Sequence, residues 1–406
     1  MWCGSLVLTV EEAQERVLAE VHALDEETVA LIDAHARVLR EDVVAPFDLP
    51  QGDNSAMDGY AVRAEDTPGS LRVLEDIAAG HAPKSRVERG TASGIMTGAL
   101  MPEGADAVAQ VEVTDGGRDV VLIREAIAPG TNVRRRGDDM HAGDVVLRAG
   151  TPIRAAELGV LASVSKTQVK VGRVPTIAIL ATGDEVVDID RTPAFGQVAN
   201  SNSYSLAALA REAGALPQIR GIVRDDRDAT IAAIESALDC DFIVSSGGVS
   251  VGAYDFVKDA LDALGAETKF WRVAMKPGKP VVLARVRERL YFGLPGNPVS
   301  SMVAFTLFVA PSIRKASGQT SSLFAPIVNI PLAAPLRSKG DRRAYLRVRV
   351  VARDGALLAK PMRAQGSHVS TSMLGANGFA ILEAGTTGVS ENEFVPVLLL
   401  SPPSAE

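Results

Sequence analysis

Cysteine is nearly absent from this sequence: Cys3 and Cys240 are the only two in 406 residues, and they lie far apart. That excludes a disulfide framework and any zinc site built on cysteine pairs, and it makes the cytoplasm the expected compartment. Histidine is equally sparse. His22, His35, His81, His141 and His368 never fall four apart or beside a cysteine pair, so each reads as a surface or cap residue rather than a metal ligand. Long apolar runs are missing too. No stretch of eighteen apolar residues occurs, and the start MWCGSLVLTVEEAQ has no basic leader region, so neither membrane insertion nor export is expected.

Positive charge is scarce. The net charge is −8 and the longest basic run is Arg134, Arg135 and Arg136, with no aromatic residues interleaved, which argues against a nucleic-acid surface. Several standard sites are also absent. There is no G-x-x-x-x-G-K-[ST] loop, the run GGVSVG does not follow the dinucleotide G-x-G-x-x-G spacing, and no G-x-S-x-G elbow supports serine hydrolysis. The composition, 47% hydrophobic and 23% charged, is that of a folded globular protein, long enough for two to four domains.

Thr9 followed by Glu12 forms a capping-box pattern, and Ala13, Val17, Leu18, Val21 and Leu24 continue it at helical spacing. A second short helix is expected over Glu27 to Ala36. Pro46 and Pro50 then bracket a loop leading to the polar cluster Asn54 to Ala61, and turns at PEG, DGG and PGT make the region up to about residue 140 a small β-rich domain. The segment VVLRAG reads as a strand, Arg154 to Ser163 as a helix and TQVKV as a strand. From Val174 strands and helices alternate regularly, ending in one helix over Asn297 to Lys315, which predicts a mostly parallel sheet with helices on both faces. After Ala325, short strands with Pro and Gly turns predict a separate β-barrel-like or sandwich-like domain.

In such a sheet, ligands bind beyond the carboxyl ends of the strands. The stretch Asp241 to Lys258 reads as strand, glycine turn and helix, with Asp255 in the first helical turn either capping free amides or holding a metal against a phosphate. Four other loops should share its rim: Thr182 to Glu185, Arg224 to Asp226, Lys276 to Pro280 and Leu294 to Pro298. The polarity of any one of them needs no more explanation than surface exposure, but five at one edge point to a site. Lys276 and Lys279 suit anionic oxygens, whereas Glu185, Asp225, Asp226 and Asp255 repel them. A hard divalent ion such as Mg²⁺ reconciles the two. Helix capping is the competing account of Asp225 and Asp226.

The blocks NSAMDGYAV, MTGALMPEGADAV, NVRRRGDDM, ATGDEVV, NSNSY, SSGGVSVGAYDFVK, VAMKPGKPVV and GLPGNPVSSMVAF, in this order, resemble the molybdopterin molybdenumtransferase (MoeA-type molybdenum insertase) family, to which the carboxyl-terminal domain of gephyrin belongs. The resemblance covers nearly the whole chain. It implies an α/β multi-domain homodimer: a linking domain (residues 9–43 and 141–173), an inserted β-rich domain (44–140), a three-layer α/β molybdopterin-binding domain (174–325) and a C-terminal β-barrel domain (326–402). The implied reaction converts adenylylated molybdopterin and molybdate to molybdenum cofactor and AMP with Mg²⁺. The implied partners are a molybdopterin adenylyltransferase and apo-molybdoenzymes.

Carried over residue by residue, the resemblance gives catalytic roles to Asp58, Thr97, Asp139, Glu185, Asp225, Asp226 and Asp255. It gives substrate-binding roles to Asp184, Ser246, Gly247, Gly248, Lys276, Lys279, Pro295, Pro298 and Ser367, and metal contact to Glu185, Asp225 and Asp255. In the family, Asp58, Thr97 and Asp139 are thought to face the α/β site of the other protomer. Ala253 stands where many members have an acidic residue, which shifts weight onto Asp255 and Glu185. Two other readings stay open: a molybdopterin adenylyltransferase or CinA-like nucleotide pyrophosphatase, which share the glycine turn, and a non-catalytic gephyrin-like scaffold.

Overall fold

The structure, a computed structural model, describes residues 7–249, 256–353 and 355–405. The chain divides into two compact units, one of Met1–Glu41, Gly150–Arg154 and Gln168–Glu406, the other of Asp42–Ala149 and Ala155–Thr167.

The larger unit opens with the helix Val10–Ala19, whose capping box is complete. The Thr9 hydroxyl accepts the Glu12 N–H at 3.2 Å and the Glu12 carboxylate accepts the Thr9 N–H at 2.8 Å. The segment expected to form a second helix does not. Glu26–Ala30 is a strand, paired antiparallel with Gln168–Gly172, and Leu31–Ala34 is a single 3₁₀ turn. Helical spacing in this run is misleading because, of Leu31–Ala34, only Ala34 is buried, and the Glu26–Ala30 backbone pairs with a strand some 140 residues on.

The centre of this unit is a six-stranded sheet. Its strands are β1 (Thr176–Thr182), β2 (Leu216–Val223), β3 (Phe242–Ser246), β4 (Glu267–Arg272), β5 (Pro280–Val286) and β6 (Arg289–Leu294), in spatial order β2-β1-β3-β6-β5-β4. All run parallel except β5, which is antiparallel to both neighbours. Alternate residues face opposite cores. Ile177, Ile179, Val244 and Phe292 meet Leu206 and Ala210 of α1 (Ser201–Glu212), whereas Ala178, Leu180, Ile243 and Tyr291 meet Ile234 of α2 (Arg227–Ser236) and Val257 and Leu261 of α3 (Phe256–Ala263). The sheet is thus covered on both sides, as the alternation predicts.

The last helix is not uniform. It consists of α4 (Pro298–Ala304), a π segment (Phe305–Val309) and α5 (Ala310–Ala316). Pro311 has no N–H to give to the Leu307 carbonyl four residues back, and that carbonyl instead accepts the side-chain amide of Gln14 at 3.2 Å.

Beyond it, five strands (Ile327–Pro331, Arg343–Arg353, Ala356–Pro361, Gly378–Leu382 and Phe394–Leu399) form a largely antiparallel sheet around their own core. The Ala333 N–H reaches the Ala359 carbonyl at 2.9 Å, so the sheet curls back on itself as the barrel reading requires. Met275–Lys276 adds a short parallel strand to this sheet, opposite Arg343 and Ala344.

The smaller unit is built on a five-stranded sheet in the order Ala107–Gln110, Gly59–Val62, Thr91–Ile95, Gly69–Ile77, Val120–Ile123. The pair Asn54–Ser55 and Val133–Arg134 lies beside it, and the unit also holds the helix Ala155–Ser163. The α/β multi-domain class with a β-rich second body and a C-terminal barrel is therefore the one observed.

Candidate active site

Loops from five strand ends meet at one rim of the six-stranded sheet. β1, β2, β3 and β6 end there, and the antiparallel course of β5 brings the β4–β5 connection, Lys276 to Lys279, to the same edge, since Arg272 pairs with Pro280. All five loops picked out from the sequence are among them.

The turn after β3 is dictated by contact. Gly247 has φ +101°, and a Cβ there would lie 2.6 Å from the Thr182 carbonyl oxygen of the neighbouring β1 loop. Gly248, at φ +68°, would press a Cβ to 2.8 Å from Val257. Only glycine fits both conditions. Ser246, just before the turn, is buried, and its hydroxyl lies 3.3 Å from the Pro295 carbonyl and 3.2 Å from the Ser301 hydroxyl. Asn202 of α1 donates from Nδ2 to the Ser246 hydroxyl at 2.8 Å and to the Gly296 carbonyl at 2.7 Å. The Gly247 N–H bonds to the Leu294 carbonyl at 3.0 Å, so the β3 and β6 turns form one wall. Pro298 begins α4, with Asn297 as N-cap.

The basic side of the rim is Lys276, half-buried, and Lys279, exposed. Neither has an ion-pair partner among the described residues, which leaves both charges available to an anion. Ser367 arrives from the C-terminal barrel domain: its carbonyl accepts the Val299 N–H of α4 at 3.1 Å. The turn that carries Ser367 is held by Arg347, which is fully buried and donates from Nη2 to the Ala364 and Gly366 carbonyls, each at 3.2 Å. Burial pushes the Arg347 guanidinium down to about 10. Gln365 clamps the same strand by accepting the Arg347 N–H and donating to its carbonyl, both at 2.9 Å.

The acidic side is less uniform than its sequence. Asp184 and Asp225 meet across the β1 and β2 loops. The Glu185 carboxylate folds over Gly183, within 2.5 Å of where a Cβ would stand. Asp226 does not join them as a free carboxylate: it is the N-cap of α2, accepting the Ala229 N–H at 2.8 Å. The capping account therefore holds for Asp226 and not for its neighbour. Among the described residues no three acidic, His or Cys side chains converge as a metal cage. Asp255, placed by sequence with the metal ligands, lies outside the described residues.

In the smaller unit the Asp58 carboxylate accepts both the N–H and the hydroxyl of Thr97, at 2.7 and 2.9 Å. These two bonds hold the Asp58 carboxyl below the usual range. Asp139 is exposed, its N–H bonded to the Leu49 carbonyl at 2.9 Å. Arg135 and Arg136 are paired with Asp53 and Asp48, which accounts for most of the one basic run. Residues that sequence reasoning passed over are Asn202, Ser301 and Arg347. Asn202 and Ser301 sit inside blocks already singled out, NSNSY and NPVSS; Arg347, in the apolar run AYLRVRVV, carries no local mark of its burial.

Comparison with known proteins covers the whole of this arrangement. Residues 8–165 match the family described as MoeA N-terminal region (domain I and II), 178–315 the probable molybdopterin binding domain, and 329–400 the MoeA C-terminal region (domain IV). A protein from Nostoc sp. named molybdopterin molybdenumtransferase is 40% identical over 93% of this chain and 89% of its own length. One of the same name from Bacillus subtilis is 35% identical over 97% and 94%. The structure titled molybdopterin biosynthesis MoeA protein from Pyrococcus horikoshii superposes with a TM-score of 0.83 at 29% identity, covering 97% of this chain and all of that one.

Proposed function

The chain belongs to the molybdopterin molybdenumtransferase family of molybdenum-cofactor biosynthesis, and we propose that its rim carries out molybdenum insertion into adenylylated molybdopterin. The observation that carries the reading is the five-loop rim itself, with two lysines that have no ion-pair partner among the described residues, a glycine turn and carboxylates on its loops, in a chain that a relative matches over 93% of its length. A molybdopterin adenylyltransferase or CinA-like enzyme would leave the N-terminal and C-terminal matches without a role.

Lys276, Lys279 and the Gly248 amide hold the phosphate of the pterin substrate, with Gly247 shaping the turn, and Pro295, Pro298, Ser246 and Ser367 line the cradle beside it. Asp184, Glu185, Asp225 and Asp255 suit Mg²⁺ by their chemistry, since that ion binds through one or two carboxylates together with substrate phosphate oxygens. When bound, it supplies charge neutralisation and polarisation at the adenylate phosphate. A molybdate oxygen attacks the adenylate phosphorus and the phosphoanhydride bond to the pterin phosphate breaks, leaving an adenylyl-molybdate; the two dithiolene sulfurs then bond to molybdenum and give up their protons as the Mo–O bond to the adenylate breaks, and AMP departs carrying that oxygen. No protein nucleophile is required. Asp58, Thr97 and Asp139 complete the α/β site of the partner protomer in a cytoplasmic homodimer. The substrate comes from a molybdopterin adenylyltransferase and the product goes to apo-molybdoenzymes.

Purified protein incubated with adenylylated molybdopterin, molybdate and Mg²⁺ is expected to release AMP together with formation of molybdenum cofactor. Failure of both under conditions where a known insertase turns over sinks the proposal, and ATP-dependent adenylylation in its place transfers the chain to the adenylyltransferase reading.

A further inference from the structure

We propose that Asn202 is a positioning residue that sets the shape of the substrate cradle by locking the β3 turn to the β6 turn; this rests on the rim being the pterin-substrate site. Asn202 is the second residue of α1, where an asparagine would ordinarily serve the helix end. That task is already filled, because Asn200 accepts the Ser203 N–H at 3.2 Å. Asn202 instead reaches away from its own helix. Both bonds from Nδ2 go to residues distant in sequence, the Ser246 hydroxyl at 2.8 Å and the Gly296 carbonyl at 2.7 Å.

The orientation of the amide is fixed, since the Gly296 carbonyl can only accept and therefore requires the nitrogen on that side. Asn202 Oδ1 is buried and has no partner among the described residues, so the carboxamide is held by its donors alone. By donating to Ser246, it leaves the Ser246 proton to Pro295 or Ser301. The Ser301 hydroxyl also donates to the Pro295 carbonyl. One carboxamide thus joins α1, the end of β3 and the turn after β6, and a Cβ on Gly296 would already stand 3.6 Å from the Gly247 Cα. Without the brace the links between the two turns among the described residues fall to the Gly247 N–H bond to Leu294 and the Ser246 hydroxyl contacts to Pro295 and Ser301.

Steady-state AMP release by the full-length protein, titrated with adenylylated molybdopterin, tests this. Asn202→Ala is expected to raise KM about tenfold with kcat within about twofold, because a displaced cradle weakens binding before it alters the reacting atoms. Ser246→Ala should also raise KM, and the double variant should show less than the product of the two single effects, because the Asn202–Ser246 bond is shared while each side chain keeps a contact of its own. Asn202→Asp keeps the size but loses both N–H donors. It should match the alanine variant at neutral pH and, relative to wild type at the same pH, recover in part as the pH falls through the carboxylate range and the protonated acid regains one of the two donors, a response that simple loss of packing would not produce. Melting temperatures are recorded for each, and if Asn202→Ala melts early the Asn202→Asp profile decides. A KM within twofold of wild type in the folded variants, or single effects that multiply in the double variant, overturns the assignment of Asn202. Absence of turnover in the wild type would instead overturn the functional reading.

Discussion

Asp184 and Asp225 exchange backbone-to-carboxylate hydrogen bonds across the β1 and β2 loops: the Asp225 N–H donates to Asp184 Oδ1 at 3.2 Å, and the Asp184 N–H to Asp225 Oδ2 at 3.4 Å. Each carboxylate uses one oxygen to fix the other's loop, and its second oxygen has no hydrogen-bond partner among the described residues. Two like charges are thereby held close together by amides rather than by a cation, a placement suited to a divalent ion that arrives with its phosphate ligand.

On the proposed function, Asp225→Asn is expected to leave KM for adenylylated molybdopterin within about threefold while lowering AMP release roughly 100-fold and flattening its Mg²⁺ titration, because in that proposal the lost charge acts on the metal and not on the pterin. Equal losses in binding and turnover would remove Asp225 from the metal site.

If Asp58 serves the partner's α/β site, two inactive variants should repair each other. Asp58→Asn mixed and reassociated with Asp225→Asn is expected to regain about a quarter of wild-type activity, since half the dimers are mixed and each holds one intact site. Activity no greater than that of the separate variants would place Asp58 and Asp225 in the same protomer's site.

Gly247→Ala introduces a Cβ 2.6 Å from the Thr182 carbonyl at a φ of +101°. A destabilisation of about 2 kcal/mol or more is expected by urea unfolding, with loss of substrate binding. Wild-type stability and affinity together would show that the turn has room the structure denies.

Asp241 lies at the opposite end of β3 from the rim. Its burial raises the carboxyl, but the Arg173 guanidinium and the Thr176 N–H and hydroxyl outweigh that and hold it below its ordinary value of 3.8. A depressed folded-state value means that the folded form binds fewer protons, so the stabilisation is complete above the ordinary carboxyl range and fades as the pH falls below about 4. Asp241→Asn should cost about 2 kcal/mol at pH 7 and make stability less dependent on pH below 4, as read by denaturant unfolding at a series of pH values. An unchanged acid limb would exclude this group as a contributor.

The separation between legible and illegible features follows the range of the interaction that fixes them. The Thr9–Glu12 capping box, the strand before Gly247 and the Asp226 cap are set by neighbours within a few residues, and each leaves a local pattern. The strand at Glu26–Ala30 and the π segment at Phe305–Val309 do not, because the first depends on Gln168–Gly172 and the second on a carbonyl that Gln14 takes. Arg347 is the extreme case. Its flanking residues are apolar in alternation, and nothing nearby announces a guanidinium with no exposed surface that holds the Ser367 turn.

By itself the sequence determined the alternating α/β unit, the glycine turn after Ser246, the five loops of the rim and the family to which those blocks belong, because periodicity and turn chemistry are written in adjacent residues. Only the tertiary structure decided which groups at that rim are free to act. It committed Asp226 to a helix end, paired Asp184 with Asp225, left Lys276 and Lys279 without ion-pair partners among the described residues, and gave Asn202 to the wall between two turns. A side chain's chemistry is fixed by its type, but its availability depends on which donors and acceptors the fold brings within 3 Å or so, and those come from distant parts of the chain.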